Sequence, residues 1–360
     1  MKTKLLPILT VVFCVFAVCL TVTAQTQLSD NDGSVNKTGQ SVALQPHTVQ
    51  EQYDPNSLSQ EELELGRQFG VIINMFNQGK KEQALAAFKD MAIKYPDNAN
   101  VFYNLSVTYY LMDKPYEALD AIAQAIELMP QVADAHYQRG MIYASIDNPV
   151  QAVSSFMRAI ELNPESPYTY MSLGKLYFEE RQIDEAIDTY LKALELLPGN
   201  PAIYYDMANC YKAKQQYQTA VRFYQKAIEL DSSNPDYYNN LGTAYRSMGI
   251  FDDAMLQFNQ ALTLDKNYNA SIYNLGDLLR ERHDFERAIP FLKKSIENDP
   301  NHFYAYNSLG LCYEQMGDFE QAIIYYEKSL KMSPQSDWNT EAKARLKLLY
   351  QKLGKSESAR

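Results

Sequence analysis

Three cationic side chains recur at one interval in this sequence. Lys212, Arg246 and Arg280 are each 34 residues apart, and the same spacing separates Asn240 from Asn274. Ammonium and guanidinium groups bind carboxylates, and asparagine amides hydrogen-bond to peptide backbone. These residue types at this spacing indicate recognition of a peptide with an acidic part rather than a chemical reaction.

Composition and motif content limit the function further. Of the 360 residues, 46% are apolar, which is enough to bury a core and excludes a wholly disordered chain. A formal net charge of -11 disfavours a nucleic-acid partner, because phosphate neutralisation requires a surplus of Lys and Arg. The sequence contains no phosphate-binding loop, nucleophile elbow or paired metal-ligand spacing. We therefore expect no enzymatic activity, no cofactor and no metal site.

Residues 1–24 predict export. Lys2 and Lys4 precede an uncharged, largely apolar run, and small residues ending at Ala24 form a signal-peptidase site. We expect cleavage after Ala24 and a periplasmic or extracellular protein. The alternative is an uncleaved membrane anchor that leaves the rest of the chain outside the cytoplasm. A lipoprotein signal at Cys19 fits poorly, because the preceding Val18 is bulky.

Residues 25–60 are rich in Gln, Ser, Asn, Asp and Thr and have no sustained hydrophobic period. This composition predicts a flexible polar tether. The sequence Ser59-Gln60-Glu61-Glu62 then forms a capping box, which predicts the start of the first helix.

A 34-residue period organises the rest of the chain into eight contiguous units. The units are 65–98, 99–132, 133–166, 167–200, 201–234, 235–268, 269–302 and 303–336. The twentieth position is alanine in every unit and the twenty-fourth is bulky, a pairing that a close helix crossing requires. We expect two helices in each unit, joined by a turn near the fifteenth position. A helix over 337–354 would cap the array, followed by a tail at 355–360.

This pattern resembles the tetratricopeptide repeat (TPR) family. The fourth unit matches the family pattern at these residues: Tyr170, Leu173, Gly174, Tyr177, Ala186, Tyr190, Ala193 and Pro198. The resemblance covers residues 65–336 and implies an all-α solenoid of helix-turn-helix units wound as a right-handed superhelix. It also implies a non-enzymatic scaffold that binds a protein or peptide in a concave groove.

Two residue types that could carry chemistry are expected to be structural. His136 occupies the fourth position of its unit, where the family has an aromatic, and this favours packing over metal ligation. Cys210 and Cys312 lie three units apart, beyond disulfide reach in a solenoid. We expect both cysteines to be buried free thiols.

The resemblance implies that positions 2, 5, 9 and 12 of each first helix face the groove. The predicted groove residues are Phe69, Tyr103, Tyr137, Met171, Tyr205, Tyr273, Lys175, Asn209, Lys212, Asn240, Arg246, Asn274 and Arg280. We expect the ligand to place an aromatic or apolar part on the N-terminal aromatics and an acidic part at the cations. The alternative is that the tyrosines pack between neighbouring helices and that Glu179, Asp277 and Glu281 neutralise the cations.

Two other functions are compatible with the sequence. The chain could be a structural subunit of an envelope or secretion assembly that uses the array edges and the convex face, with the groove idle or filled by residues 44–53. It could also be an accessory subunit for glycosyl transfer whose catalytic part belongs to a partner. In each case the expected partner is a protein or peptide, and a membrane is contacted only through an uncleaved anchor.

Overall fold

The structure is a computed structural model, and it describes residues 60–332 and 338–354. The predicted signal segment, the tether up to residue 59, most of the N-terminal capping box and the tail at 355–360 lie outside the described residues. The same holds for the end of the eighth unit, at 333–336, and for the side chain of Trp338.

The described residues form seventeen α-helices and no strand. The chain divides into two compact units, Met1–Glu180 and Arg181–Arg360. The first unit contains α1 (Gln60–Asn77), α2 (Lys81–Lys94), α3 (Ala99–Leu111), α4 (Pro115–Leu128), α5 (Ala133–Ser145), α6 (Pro149–Leu162) and α7 (Pro167–Glu179). The second contains α8 (Ile183–Leu196), α9 (Pro201–Ala213), α10 (Tyr217–Leu230), α11 (Pro235–Ser247), α12 (Phe251–Leu264), α13 (Asn269–Glu281), α14 (Phe285–Asn298), α15 (Phe303–Gln315), α16 (Phe319–Met332) and α17 (Trp338–Lys352). The predicted all-α fold of tandem helix pairs is confirmed.

Helix starts follow from the local sequence. Proline occupies the first turn of several helices, where its missing N–H would have no partner inside the helix. Before two of these prolines, the side chains of Asn200 and Asn234 accept hydrogen bonds from the N–H groups of Ala202 and Asp236, each at 2.9 Å. An N-cap of this kind satisfies a donor that the first helical turn leaves open.

The turn inside each helix pair requires a left-handed residue. The fifteenth residue of every unit has a positive φ, between 57° and 83°. Glycine supplies it in three units, at Gly79, Gly249 and Gly317, and the other five use Asp113, Asp147, Arg181, Gln215 and His283. A residue with a Cβ is strained in this conformation. The chain therefore tolerates local strain at five turns in order to reverse direction.

Small and bulky positions interlock at each helix crossing. The alanine at the twentieth position is fully buried in all eight units. In repeats with glycine at the eighth position, the bulky residue at the twenty-fourth position occupies the space that a side chain on the glycine would need. A Cβ on Gly242 would lie 2.6 Å from a ring carbon of Phe258. In the second unit Ser106 takes this place, and its hydroxyl donates to the carbonyl of Ala118 at 2.8 Å.

The last helix covers the end of the second compact unit. Ala342 and Leu349 of α17 are buried in a cluster with Ala322 and Tyr326 of α16. Arg345 of α17 also pairs with Glu314 at 3.2 Å. The predicted capping helix is therefore present. None of the described helices has the length and hydrophobicity needed to cross a membrane.

Candidate functional site: the polar face of the first helices

The aromatic part of the predicted groove is largely engaged within the fold. Phe69 is only 1% exposed and packs on Phe88, with ring centroids 6.1 Å apart. This corrects its prediction as a groove residue, because a ring buried between α1 and α2 offers no surface to a ligand. Tyr137 packs on Phe156 at 5.7 Å. Burial raises the pKa of Tyr103, and of Tyr137 as well.

Two further predicted residues of the first compact unit lie on α7. Met171 is partly buried. The ammonium group of Lys175 lies 3.7 Å from the carboxylate of Glu179, one turn further along the helix. This ion pair matches the alternative reading in which Glu179 neutralises the cation. As a half-exposed pair within one helix, it contributes little to stability.

Side chains at the fifth and sixth positions connect successive first helices. The hydroxyl of Tyr137 lies 3.1 Å from that of Ser172 in the next repeat. Asn240 donates to the hydroxyl of Tyr205 at 2.8 Å, and Asn274 donates to the amide oxygen of Asn239 at 2.9 Å. Each contact spans 35 residues. The tyrosines of this face therefore join neighbouring repeats, as the alternative interpretation expected, and the asparagines do so as well, a role that the sequence did not indicate.

Lys212 lies in a neutral polar environment on α9. Its ammonium group donates to the amide oxygen of Asn240 at 2.7 Å and lies 5.8 Å from the ring centroid of Tyr224. The hydroxyl of Tyr224 donates in turn to the side chain of Asn209 at 2.5 Å. Burial lowers the pKa of Lys212 to about 8. Among the described residues, no carboxylate forms an ion pair with this lysine.

Arg246 and Arg280 instead share a buried carboxylate. Both guanidinium groups bind Asp277, Arg246 at 2.5 Å and Arg280 at 2.7 Å, and the hydroxyl of Ser308 also donates to Asp277 at 2.7 Å. Arg246 pairs with Glu281 as well. Burial alone would raise the pKa of Asp277, but the two arginines and Ser308 hold it below its usual value. This arrangement matches the alternative in which acidic neighbours neutralise the cations.

The remaining predicted residues complete the face of the second compact unit. Tyr205 packs on Tyr237 at 5.0 Å, and burial raises its pKa to about 12. Tyr273 contacts the ring of His302 edge-on at 4.7 Å. The structure thus brings Tyr205, Asn209, Lys212 and Asn240 into one network and places Arg246 and Arg280 in a separate ionic cluster.

The two residue types expected to be structural are buried. His136 is 5% exposed, and its Nε2 lies 2.9 Å from the carbonyl oxygen of Pro130. Cys210 and Cys312 are free and fully buried, as predicted. Burial raises the pKa of both thiols to about 12, so neither is a reactive thiolate at neutral pH.

Family comparisons match the repeats directly. Models described as tetratricopeptide repeat match residues 133–166, 235–268 and 268–335, and a model described as TPR repeat matches 174–215 and 208–249. Together they cover more than half of the chain. The chain belongs to the tetratricopeptide repeat family. TPR proteins are generally non-enzymatic scaffolds that bind proteins or peptides, and a protein-interaction scaffold is the role that the family supports here.

Two solved structures show the same fold. One chain of the crystal structure of the APC/C hetero-tetramer Cut9-Hcn1 is 18% identical, with 82% of this chain and 57% of that chain covered and a TM-score of 0.56. For PilF of Pseudomonas aeruginosa the identity is 21%, the coverage 59% and 97%, and the TM-score 0.52. YrrB, described as a TPR protein with an unusual peptide-binding site, is 26% identical over 54% of this chain and 100% of that chain, with a TM-score of 0.43. No curated protein matches this chain in sequence.

Proposed function

We propose that this TPR protein is an exported scaffold that binds a protein or peptide segment on its first helices, with Lys212 receiving a carboxylate of the ligand. The observation that carries the proposal is the partly buried ammonium group of Lys212, which lies among the neutral side chains of Asn209, Asn240 and Tyr224. A buried charge without an ionic partner costs free energy, and a ligand carboxylate would offset that cost.

The three cations contribute differently to this proposal. Arg246 and Arg280 already bind Asp277, so a ligand carboxylate would have to compete with an internal one. Lys212 has no such competitor among the described residues, and it keeps ammonium N–H groups beyond the one that Asn240 accepts. The acidic part of the ligand is therefore assigned to Lys212 rather than spread over all three cations.

The uncharged part of the ligand is assigned to the polar and aromatic side chains near Lys212. Tyr205, Asn209 and Asn240 are partly exposed. Asparagine amides can donate to and accept from a peptide backbone, and tyrosine rings provide apolar contact area with a polar edge. This composition suits an extended peptide with an acidic residue beside an apolar or aromatic one.

Export is proposed from the N-terminal sequence. Lys2 and Lys4, the apolar run and the small residues ending at Ala24 constitute a secretory signal. N-terminal sequencing of the mature protein from its native host should begin at Gln25. A protein that retains residues 1–24 in the membrane fraction would instead be anchored, and one that retains them in the cytoplasm would contradict export.

Affinity capture tests the binding face. Wild-type protein, Lys212→Met and Lys226→Met are used to retain partners from an extract of the native host, and mass spectrometry identifies them. Lys226 is the matched control, since it is a lysine of the same repeat that pairs with Glu229 on α10 at 2.8 Å. We expect partners that wild type and Lys226→Met retain and Lys212→Met loses.

The opposite result, unchanged partners for a folded Lys212→Met variant, would contradict the proposal. Methionine fills most of the volume of the lysine stem, so Lys212→Met should give the same circular dichroism spectrum and a melting temperature no lower than that of wild type. We call the surface formed by Tyr205, Asn209, Lys212 and Asn240 the first-helix face. If Lys212→Met retains the same partners as wild type, the first-helix face is not the binding site. The function would then belong to a structural subunit that binds through other faces of the array.

A further inference from the structure

The third repeat departs from the others at the seam between its two helices. Position 7 is apolar in the other seven repeats, at Val71, Leu105, Leu173, Met207, Leu241, Leu275 and Leu309. The third repeat has Arg139 there. Position 23 varies among the repeats: the third has Ser155, three others have the rings of Phe223, Phe291 and Tyr325, and the remaining four have Ala, Thr or Gln. Arg139 is thus the residue that sets the third repeat apart from the other seven, and Ser155 leaves the seam beside it without an aromatic ring.

Aromatic rings close the same seam in the fifth and eighth repeats. Phe223 stacks on Tyr211 with centroids 5.2 Å apart, and Tyr325 stacks on Tyr313 at 5.4 Å. In the third repeat the hydroxyl of Ser155 donates to the backbone of its own helix, at the carbonyl of Gln151, and no ring lies at this position. An open cleft of about 490 Å³ lies between α5 and α6, lined by Arg139 of α5 and by residues of α6. We call it the α5/α6 cleft.

A histidine and a serine position Arg139 in this cleft. Its Nε donates to the hydroxyl of Ser155 at 3.1 Å, and Nη2 lies 3.3 Å from Nδ1 of His136. Because Nε2 of His136 is within hydrogen-bond distance of the carbonyl of Pro130, the tautomer that satisfies both contacts is neutral, with its proton on Nε2 and Nδ1 accepting from Arg139. Both of these partners of Arg139 are uncharged.

The charge of Arg139 is therefore not balanced within the cleft. Arg158, the second arginine of the lining, binds Glu161 at 2.8 Å. Arg139 forms no ion pair with any described residue. A guanidinium group has further N–H donors beyond the two used here, and they are arranged to bind a carboxylate.

The cleft also has an apolar rim on α6. Val150 is 75% exposed and Met157 is 50% exposed, and both line the cleft. The corresponding positions of the fifth repeat hold Gln218 and Gln225, which are polar. These two side chains offer a ligand apolar contact area beside the cation of Arg139.

We propose that the α5/α6 cleft is a second binding site, which takes an acidic peptide segment of a partner protein by pairing its Asp or Glu carboxylate with Arg139 and placing a neighbouring apolar side chain against Val150 and Met157. The site shares no residue with the first-helix face proposed above. A single carboxylate matches the single unbalanced cation. A polyanion such as nucleic acid does not, because Glu161 lies in the same cleft and the chain carries a net charge of -11.

NMR with defined peptides tests this proposal. The probe is acetyl-Ser-Gly-Leu-Glu-Leu-Gly-Ser-amide, and the comparison peptide has Gln in place of Glu. Methionine methyl groups of the protein are labelled with ¹³C, and the Met157 resonance is assigned with Met157→Leu. We expect the Glu peptide to shift the Met157 signal in a saturable manner and to bind more than tenfold more tightly than the Gln peptide, since a charged hydrogen-bonded pair is lost.

Two variants complete the test. Arg139→Leu introduces the residue found at this position in five other repeats, so it should fold, and it should weaken binding of the Glu peptide more than tenfold. Lys226→Gln removes a cation at the position of the fifth repeat that corresponds to Arg158, and binding should not change. The proposal is overturned if the wild-type Met157 signal does not respond, if both peptides bind equally, or if Arg139→Leu binds like wild type. None of these outcomes bears on Lys212.

Discussion

The side-chain amide of Asn240 donates a hydrogen bond to the hydroxyl of Tyr205, 35 residues earlier, at 2.8 Å. The oxygen of the same amide accepts from Lys212 at 2.7 Å. One asparagine therefore connects two neighbouring first helices and accepts a hydrogen bond from the partly buried ammonium group on which the proposed function rests. The contact between repeats and the proposed recognition therefore involve the same asparagine.

Asn240→Leu should destabilise the protein by about 2–3 kcal/mol, because it removes both contacts and leaves the ammonium of Lys212 without its amide acceptor. Urea denaturation followed by circular dichroism measures this. Asn259→Leu is the control, since Asn259 is exposed and its side chain bonds, among the described residues, only to the carbonyl of Met255 in its own helix. The double variant Lys212→Met/Asn240→Leu should lose less than the sum of the two single variants. Strict additivity would show that the two side chains are not coupled.

Lys212 should also give stability a pH dependence. Its pKa is about 8 in the folded protein because of burial, whereas a lysine in an unfolded chain has a pKa of about 10.4. Between these values the unfolded chain binds more protons than the folded one, so this lysine makes stability rise with pH. Below the folded pKa both states hold the proton and the contribution is constant.

The measurement compares wild type with Lys212→Met in urea at pH of about 7 and about 9.5. Other titrating groups act similarly in both proteins and largely cancel in the difference. We expect wild type to gain stability relative to the variant at the higher pH. A difference that stays constant would mean that the ammonium group is hydrated rather than buried.

The close crossing of α11 and α12 should tolerate only glycine at position 242. Gly242→Ala places a Cβ 2.6 Å from the ring of Phe258, which is overpacking and should cost about 1–3 kcal/mol. Gly199→Ala is the matched control, since a Cβ there meets no atom within 4 Å. Thermal unfolding should separate the two variants. Equal melting temperatures would contradict the assigned packing of α11 on α12.

Much of the fold could be predicted from the sequence, because every repeat packs its two helices through the same small and bulky positions. Alanine at position 20 and a bulky residue at position 24 identify the crossing by size alone, and all eight alanines are fully buried. The sequence indicated the left-handed turn residue only in the three repeats that have glycine at the fifteenth position. At Asp113, Asp147, Arg181, Gln215 and His283 neighbouring contacts impose the same φ on residues that do not prefer it.

The candidate site was harder to predict from the sequence. The position of a residue within a repeat indicates which way its side chain points, but not which side chains it contacts. Asp277 lies one turn before Arg280, in the repeat that follows the repeat of Arg246, and only the folded chain shows that it binds both arginines. Phe69 shares a position with Tyr205, yet it is buried while Tyr205 is partly exposed. Pairing each fifth position with the sixth position of the next repeat would have predicted the contacts between Tyr205 and Asn240 and between Asn239 and Asn274.

The strained turns offer a route to higher stability. Gln215→Gly removes a Cβ from a residue with φ of 59° and should stabilise the protein by about 0.5–1 kcal/mol, the difference between relieved strain and added chain entropy. Gly249→Ala makes the opposite change at φ of 74° and should cost about 1 kcal/mol. Urea midpoints measured in parallel compare them. Two variants that shift in the same direction would exclude turn strain as the cause.

His136 should make the third repeat sensitive to acid. Burial lowers its pKa, the hydrogen bond to Pro130 opposes the shift, and the charges of Arg139 and Arg158 lower it further. The unfolded chain takes up a proton near pH of about 6.5, before the folded protein does, so stability is lost as pH falls from there toward the folded pKa. Once protonated, Nδ1 carries an N–H that faces the guanidinium of Arg139 and can no longer accept from it.

The comparison variant is His136→Tyr, which introduces the aromatic residue that four other repeats carry at this position. Urea midpoints at pH of about 7.5 and about 5 should fall further for wild type than for the variant. His302, whose pKa burial also lowers, is present in both proteins and cancels. If both proteins lost equal stability, His136 would titrate normally. Its neutral tautomer would then not be what positions Arg139 in the α5/α6 cleft.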